Sequence, residues 1–240
     1  MKLKFIIDKN HDIDFTIYML GRMDYKYFAN EIGMSLDLAT RINNEYPRIS
    51  TKTENDLNAF VDKRYDEVLE YMKDSKRLYQ KSWNLIIDNF SDIVSDITES
   101  KWYYNEYICT ISAFHRGISN WGGNTIVRWW QENHYIQRRI TAHEIILAHY
   151  FSIYRDKYSS FEIGDKKIWA LAEICAWAIT GLDENVITKF WPWDNSGYYT
   201  DHNYPNLVPL QLKMKEAYLK RKNFDEYIRT GMKLVKKYEI

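Results

Sequence analysis

The chain has 240 residues, enough for one sizeable domain whose hydrophobic core needs no disulfide or metal ion for its stability. Its residues are 45% hydrophobic and 16% aromatic, a composition that excludes disorder over most of the chain. There are 33 Lys and Arg against 33 Asp and Glu, so the formal net charge is zero. Because proteins that bind nucleic acid usually carry a basic excess, nucleic acid is not an expected partner.

The N-terminal residues lack the long apolar stretch of a secretory signal, since Asp8 interrupts the first short apolar run. No window approaches the 18 or more apolar residues that a membrane span requires. Two cysteines far apart do not make a disulfide framework and favour a reducing compartment. We therefore expect a cytoplasmic protein without membrane contact, and the sequence leaves its oligomeric state open.

The first hundred residues read as a short strand followed by a layer of helices. Residues 3–7 are a strand candidate, and apolar residues recur at helical spacing over residues 12–32 and 36–44. Thr53 is the expected N-cap of an amphipathic helix over residues 57–97, and the polar stretch 73–77 is a candidate break within it.

The pattern changes after residue 101. Residues 107–114 and 125–130 are rich in β-branched and aromatic side chains and predict two short strands. Glycines at 117, 122 and 123 separate them, which indicates a hairpin or two neighbouring strands. Two apolar helices are predicted next, over residues 141–154 and 167–180, the second ending at Gly181.

A loop rich in Trp, Pro, Gly and Asn follows at residues 191–197, and residues 207–238 read as a helical hairpin. The predicted fold class is α+β, mainly α, with a small sheet and two buried helices between helical N- and C-terminal regions. The corresponding domain division is 1–100, 101–200 and 201–240, with one compact unit as the alternative.

The two apolar helices carry polar side chains that need partners. Glu173 is the only charged side chain between Lys167 and Asp183, and His143 and His149 lie in the preceding apolar helix. A buried carboxylate requires a cation, a metal ion or a proton. We therefore expect His143 and Glu173 to approach each other in the core, directly or through a metal ion. Replacing Glu173 by Leu should then cost less stability than replacing it by Lys.

The segment His143-Glu144 at the start of an apolar helix resembles the HExxH helix of zincin metallopeptidases of the gluzincin type, and Glu173-Ile-Cys-Ala176 is similar to their ExxA pattern. The resemblance spans about residues 107–181. It implies a zincin-like core, a zinc cofactor held by His143 and Glu173, and Glu144 as the general base that activates a zinc-bound water. A peptide would be the substrate, lying along the edge of the strand at residues 125–130.

The second zinc-binding His of the motif is Leu147 in this chain. His149 is the next candidate ligand, but six helical residues rotate by about 240° and rise by about 9 Å. His134 and His115 are the other candidates for a replacement ligand. We therefore expect weak or absent zinc binding and little peptidase activity, so the protein is a metallopeptidase-like hydrolase only if it is active.

Three other interpretations stay open. Thr141 and Glu144 fit a capping box, which accounts for Glu144 without catalysis. A non-enzymatic module that binds a peptide or protein on a zincin-like scaffold is the main functional alternative. The lesser one is a ribonuclease of the HEPN type, because Arg138 and His143 match its R-x4-H spacing.

Overall fold

A computed structural model describes residues 1–115, 123–193 and 204–240, and its three strands form one parallel sheet in the order β1-β2-β3. These strands are β1 (Lys2–Ile6), β2 (Glu106–Ser112) and β3 (Thr125–Trp129). Leu3 is level with Tyr107, and Ile111 is level with Arg128. All three predicted strands are confirmed, and β2 and β3 are neighbours. The hairpin is wrong, because a parallel pair needs a crossover rather than a tight turn.

Three short helices follow β1: α1 (Lys9–Arg22), α2 (Tyr25–Ile32) and α3 (Leu36–Glu45). The prediction of one helix over residues 12–32 is wrong. The chain breaks at Met23, and the side chain of Asp24 caps a new helix by accepting from the backbone N–H groups of Lys26 and Tyr27. The helix predicted over residues 36–44 is confirmed as α3.

The longest helix, α4 (Thr51–Asn84), continues through the stretch predicted as a break, and α5 (Ile87–Thr98) follows it. Ser50, rather than Thr53, is the N-cap of α4. The polar stretch stays helical because Lys73 pairs with Glu70 and Arg77 pairs with Asp74 across single turns. Polar residues there mark the solvent face of one helix and not its end.

Five helices complete the described chain. The bounds are α6 (Ile136–Ile153), α7 (Asp165–Gly181), α8 (Glu184–Phe190), α9 (Val208–Lys220) and α10 (Phe224–Val235). A single π-helical turn, Tyr154–Tyr158, extends α6, and a 3₁₀ turn, Pro205–Leu207, leads into α9. The two apolar helices and the C-terminal hairpin are confirmed, α8 was not predicted, and the predicted loop at residues 191–197 lies outside the described residues from residue 194 onward.

The start of α6 differs from the prediction by five residues. The helix begins at Ile136 with Tyr135 as its N-cap, and the side chain of Asn133 accepts from the backbone N–H groups of Tyr135 and Ile136 in the preceding turn. Thr141 lies inside the helix, where its hydroxyl donates to Oε1 of Gln137 at 2.8 Å. The capping-box interpretation of Glu144 is therefore wrong.

The core is one continuous cluster of buried apolar side chains that runs from Leu3 in β1 to Val235 in α10. Helices α6 and α7 form its centre, and they are buried on nearly every face. The fold is α+β and mainly helical, as predicted. No helix in the described part of the chain has the length and apolar character needed to cross a membrane.

Candidate functional site

The packing of α6 against α7 brings His143 and Glu173 together. Nε2 of His143 lies 3.0 Å from Oε2 of Glu173, and the two side chains are only 14% and 11% exposed. The predicted contact between these two residues is confirmed, and it satisfies the requirement that a buried carboxylate has a partner.

The charge of His143 depends on two carboxylates. Burial lowers the pKa of the imidazole, but the hydrogen bond and charge of Glu173 and the charge of Glu144 outweigh burial, so the pKa is raised above its ordinary value. The positive charge of Arg128 opposes this rise. The pair therefore favours an imidazolium ion bound to a carboxylate, and such a group can take up or release a proton.

A second ion pair lies beside this one. Arg128 on β3 is 2% exposed and donates to Glu132 through two nitrogens, Nε and Nη2, with Nε 3.0 Å from Oε2. Successive side chains of a strand point to opposite faces of the sheet, so Arg128 faces α6 and Trp129 faces the other side. Neither Arg128 nor Glu132 was singled out in the sequence. The available signal was an arginine in an otherwise apolar strand with a glutamate four residues later.

Carboxylates outnumber cations in this site, which we call the α6–α7 cluster: Arg128, Glu132, His143, Glu144 and Glu173. Burial and the negative charges of Glu173 and Glu144 raise the pKa of the Tyr204 hydroxyl, which places this tyrosine at the same cluster. Arg128 offsets Glu132, and the imidazolium of His143 offsets Glu173, so the five side chains together carry one excess negative charge. The described residues of the cluster thus favour a positively charged ligand group.

The zinc ligands that the resemblance implies are incomplete in the described structure. Leu147, which occupies the position of the second histidine, is 3% exposed and packs in the hydrophobic core. Among residues 1–115, 123–193 and 204–240, no three His, Cys, Asp or Glu side chains are grouped so that they could hold a metal ion. Catalytic zinc sites use three protein ligands, so the described donors do not fit one.

The structure places His149 in a different environment from His143. Its Nε2 lies 3.3 Å from the hydroxyl of Thr98, and its ring stacks on Trp102 at 4.4 Å. Burial lowers its pKa to about 3, which keeps the ring neutral. The π-helical turn begins only after His149, so it does not alter the register between the two histidines. The expectation of His149 as a ligand beside His143 and Glu173 therefore has no support in the geometry.

The other replacement ligands also lie elsewhere. His134 lies against Tyr135 just before α6, with the two rings tilted and their centroids 4.2 Å apart. His115 follows β2, where it contacts Thr16 and stacks on Phe28. Neither of them joins His143 in a metal-binding group among the described residues.

The contacts of Arg138 are with Ser82 and Phe190 rather than with His143. Arg138 is 5% exposed, and its guanidinium donates to the hydroxyl and carbonyl oxygens of Ser82 and to the carbonyl oxygen of Phe190. A phosphate-binding arginine needs free donors that face the ligand. Its contacts therefore favour a structural role for Arg138, in which it ties α4 and α8 to α6.

The chain was compared with protein-family models, with curated proteins and with solved structures, and none of the three comparisons gave a match.

Proposed function

We propose that the chain is a zincin-like protein that resembles a metal-dependent peptidase, has little or no peptidase activity, and binds a peptide or protein at the α6–α7 cluster. One observation carries the proposal. His143 and Glu173, the two side chains that the resemblance assigns to zinc, lie 3.0 Å apart, and the residue at the position of the second histidine is the buried Leu147. A proton in place of a metal ion then joins the two side chains.

The expected partner follows from charge. Glu144 and Glu173 both raise the pKa of His143 and of Tyr204, so their negative potential covers the cluster. A lysine or arginine side chain of a peptide, or its amino terminus, would be attracted there. Cys109 and Cys175 are both free and buried, which agrees with a cytoplasmic location, and this location belongs to the proposal.

Hydrolysis is tested with a fluorogenic casein digest in the presence of zinc. The wild-type protein should release no more fluorescence than the Glu144→Gln variant does. Turnover that a chelator abolishes and that Glu144→Gln removes would identify a working metallopeptidase and contradict the proposal.

Binding is tested by selection from a library of random immobilised heptapeptides. Selected peptides should be enriched in Lys, Arg or a free amino terminus, and Glu144→Gln should weaken their affinity about tenfold, the loss of one charge-assisted contact. Glu162→Gln, which removes an exposed carboxylate just before α7, is the matched control and should leave the affinity unchanged. Selection of acidic peptides, or of none above background, would contradict the proposed partner.

A further inference from the structure

A second site lies on the opposite face of the sheet from the α6–α7 cluster. Trp129 of β3 lines a cavity of about 240 Å³ there, whereas the adjacent Arg128 points to the cluster. The cavity lies between α2, α4 and the residues that follow β2. In parallel sheets, ligands usually bind beyond the carboxyl ends of the strands, and Trp129 is the last residue of its strand.

The wall of this cavity is apolar and aromatic. Phe28, Ile32, Met19 and Phe114 contribute to it. A cavity of about 150 Å³ accommodates benzene, which has six non-hydrogen atoms. By that measure about 240 Å³ has room for nine or ten such atoms, the size of an aliphatic amino acid.

One buried acceptor in the wall lacks a partner within the described ranges. His115 is 3% exposed. The hydroxyl of Thr16 donates to the carbonyl of Asp12 at 2.7 Å, so it must accept from Nε2 of His115, 3.4 Å away. Burial lowers the pKa of His115 to about 3, so the ring is neutral and Nδ1 carries a lone pair. No described residue donates to that Nδ1, which is shielded from solvent.

Two opposite charges also line the cavity. Arg64 of α4 has one long contact, from Nη1 to Glu67 at 3.5 Å, and its buried Nε has no acceptor among the described residues. Glu31 of α2 is exposed and makes no ion pair with Arg64. A guanidinium and a carboxylate that line one cavity without pairing with each other match the two charges of a zwitterion.

We propose that this cavity binds a free aliphatic α-amino acid of the size of leucine or methionine, with its carboxylate on Arg64, its ammonium group near Glu31, and its side chain against Phe28 and Phe114. The aromatic wall would exclude water from the side chain, and the two charges would select the unmodified amino acid over a residue within a peptide. The site shares no residue with the α6–α7 cluster, so it stands or falls independently of the proposed function.

Isothermal titration calorimetry of the full chain tests the site with L-leucine and L-methionine as probes. Both should bind, and N-acetyl-leucine, leucinamide and 4-methylpentanoate should each bind about tenfold more weakly or worse, because each lacks one charge of the zwitterion. L-tryptophan, with fifteen non-hydrogen atoms, should not bind. Equal binding of leucine and its capped forms, or no heat with either amino acid, would overturn the proposal.

Variants locate the binding. Arg64→Gln and Glu31→Gln should each weaken leucine binding about tenfold or more, since each removes a charge-assisted contact. Arg77→Gln is the matched control, because Arg77 lies on the same helix and pairs with an acid three residues away but does not line the cavity. It should change the affinity less than about twofold, well under the effect of a lost hydrogen bond. Loss of binding in Arg77→Gln, or its survival in Arg64→Gln, would contradict the site, and circular dichroism checks that each variant folds.

Discussion

Replacing Glu173 isolates the contribution of the His143–Glu173 pair. The two side chains are 14% and 11% exposed, so solvent screens them little. A hydrogen bond to a charged group contributes about 1.5–3 kcal/mol, and a buried leucine regains up to about 1.5 kcal/mol through its apolar surface. Glu173→Leu should therefore lower the free energy of unfolding by about 0–3 kcal/mol. Glu173→Lys leaves two buried cations together and should lower it by about 3–5 kcal/mol.

The contribution of the His143–Glu173 pair to stability should depend on pH. Because the folded-state pKa of His143 is raised, its contribution is fully present below the ordinary value and is lost as the pH rises through the raised value. The stability difference between wild type and Glu173→Gln should thus be larger at pH 6 than at pH 9. Urea denaturation at both pH values measures it, and Glu162→Gln serves as the control.

Proton NMR titration of the His143 ring tests the cause directly. In Glu173→Gln, burial remains while the main compensating carboxylate is lost, so the pKa of His143 should fall below its ordinary value. His149 illustrates the effect of burial: its Nε2 contacts the hydroxyl of Thr98 rather than a carboxylate, and its pKa is lowered to about 3. An unchanged pKa of His143 in Glu173→Gln, or equal stability of the Leu and Lys variants, would refute the reasoning.

Three further predictions concern the scaffold. The pKa of His149 falls from 6.5 to about 3 on folding, so between these pH values the unfolded chain binds a proton that the folded chain does not. The free energy of unfolding should therefore fall by about 1.4 kcal/mol for each pH unit below 6.5. Urea titrations from pH 7 to 4 should show this loss in the wild type and not in His149→Gln. Gly21→Ala would place a Cβ 2.1 Å from the ring of Tyr46 and should cost about 1–3 kcal/mol in the same assay, with unchanged stability contradicting the close contact. Arg138→Met removes three hydrogen bonds and should cost about 2–5 kcal/mol; an RNA-cleavage activity lost in this variant at unchanged stability would instead support the ribonuclease alternative.

The contact between His143 and Glu173 was predictable from the sequence because a buried carboxylate requires a partner. Glu173 lies in a helix that is apolar on every side, and His143 was the nearest suitable polar group in a helix of the same kind. The strands followed from their β-branched residues for a similar reason. Both inferences rest on local composition, which decides whether a side chain is buried.

The parallel pairing and the Arg128–Glu132 pair were beyond this kind of inference. The partner of β2 on one side is β1, about a hundred positions earlier in the chain, and no local pattern encodes that contact. Arg128 appeared as one residue of a strand, and its burial depends on which face α6 covers. The start of α6 at Ile136 has Tyr135 as its N-cap and no side-chain capping bond, so no capping residue in the sequence marks it.

The zinc content of the purified protein tests the central proposal, that α6 and α7 resemble a zincin site that lacks one ligand. After dialysis against zinc and then buffer, mass spectrometry of the metal should find well under one zinc ion per wild-type chain, and about one per Leu147→His chain because three ligands are then present. Adding Glu173→Gln to that variant should remove the zinc again, and Leu171→His, which introduces a histidine at another buried leucine, should bind none. A wild-type chain that already holds one tightly bound zinc ion, or a folded Leu147→His variant that gains none, would contradict the account.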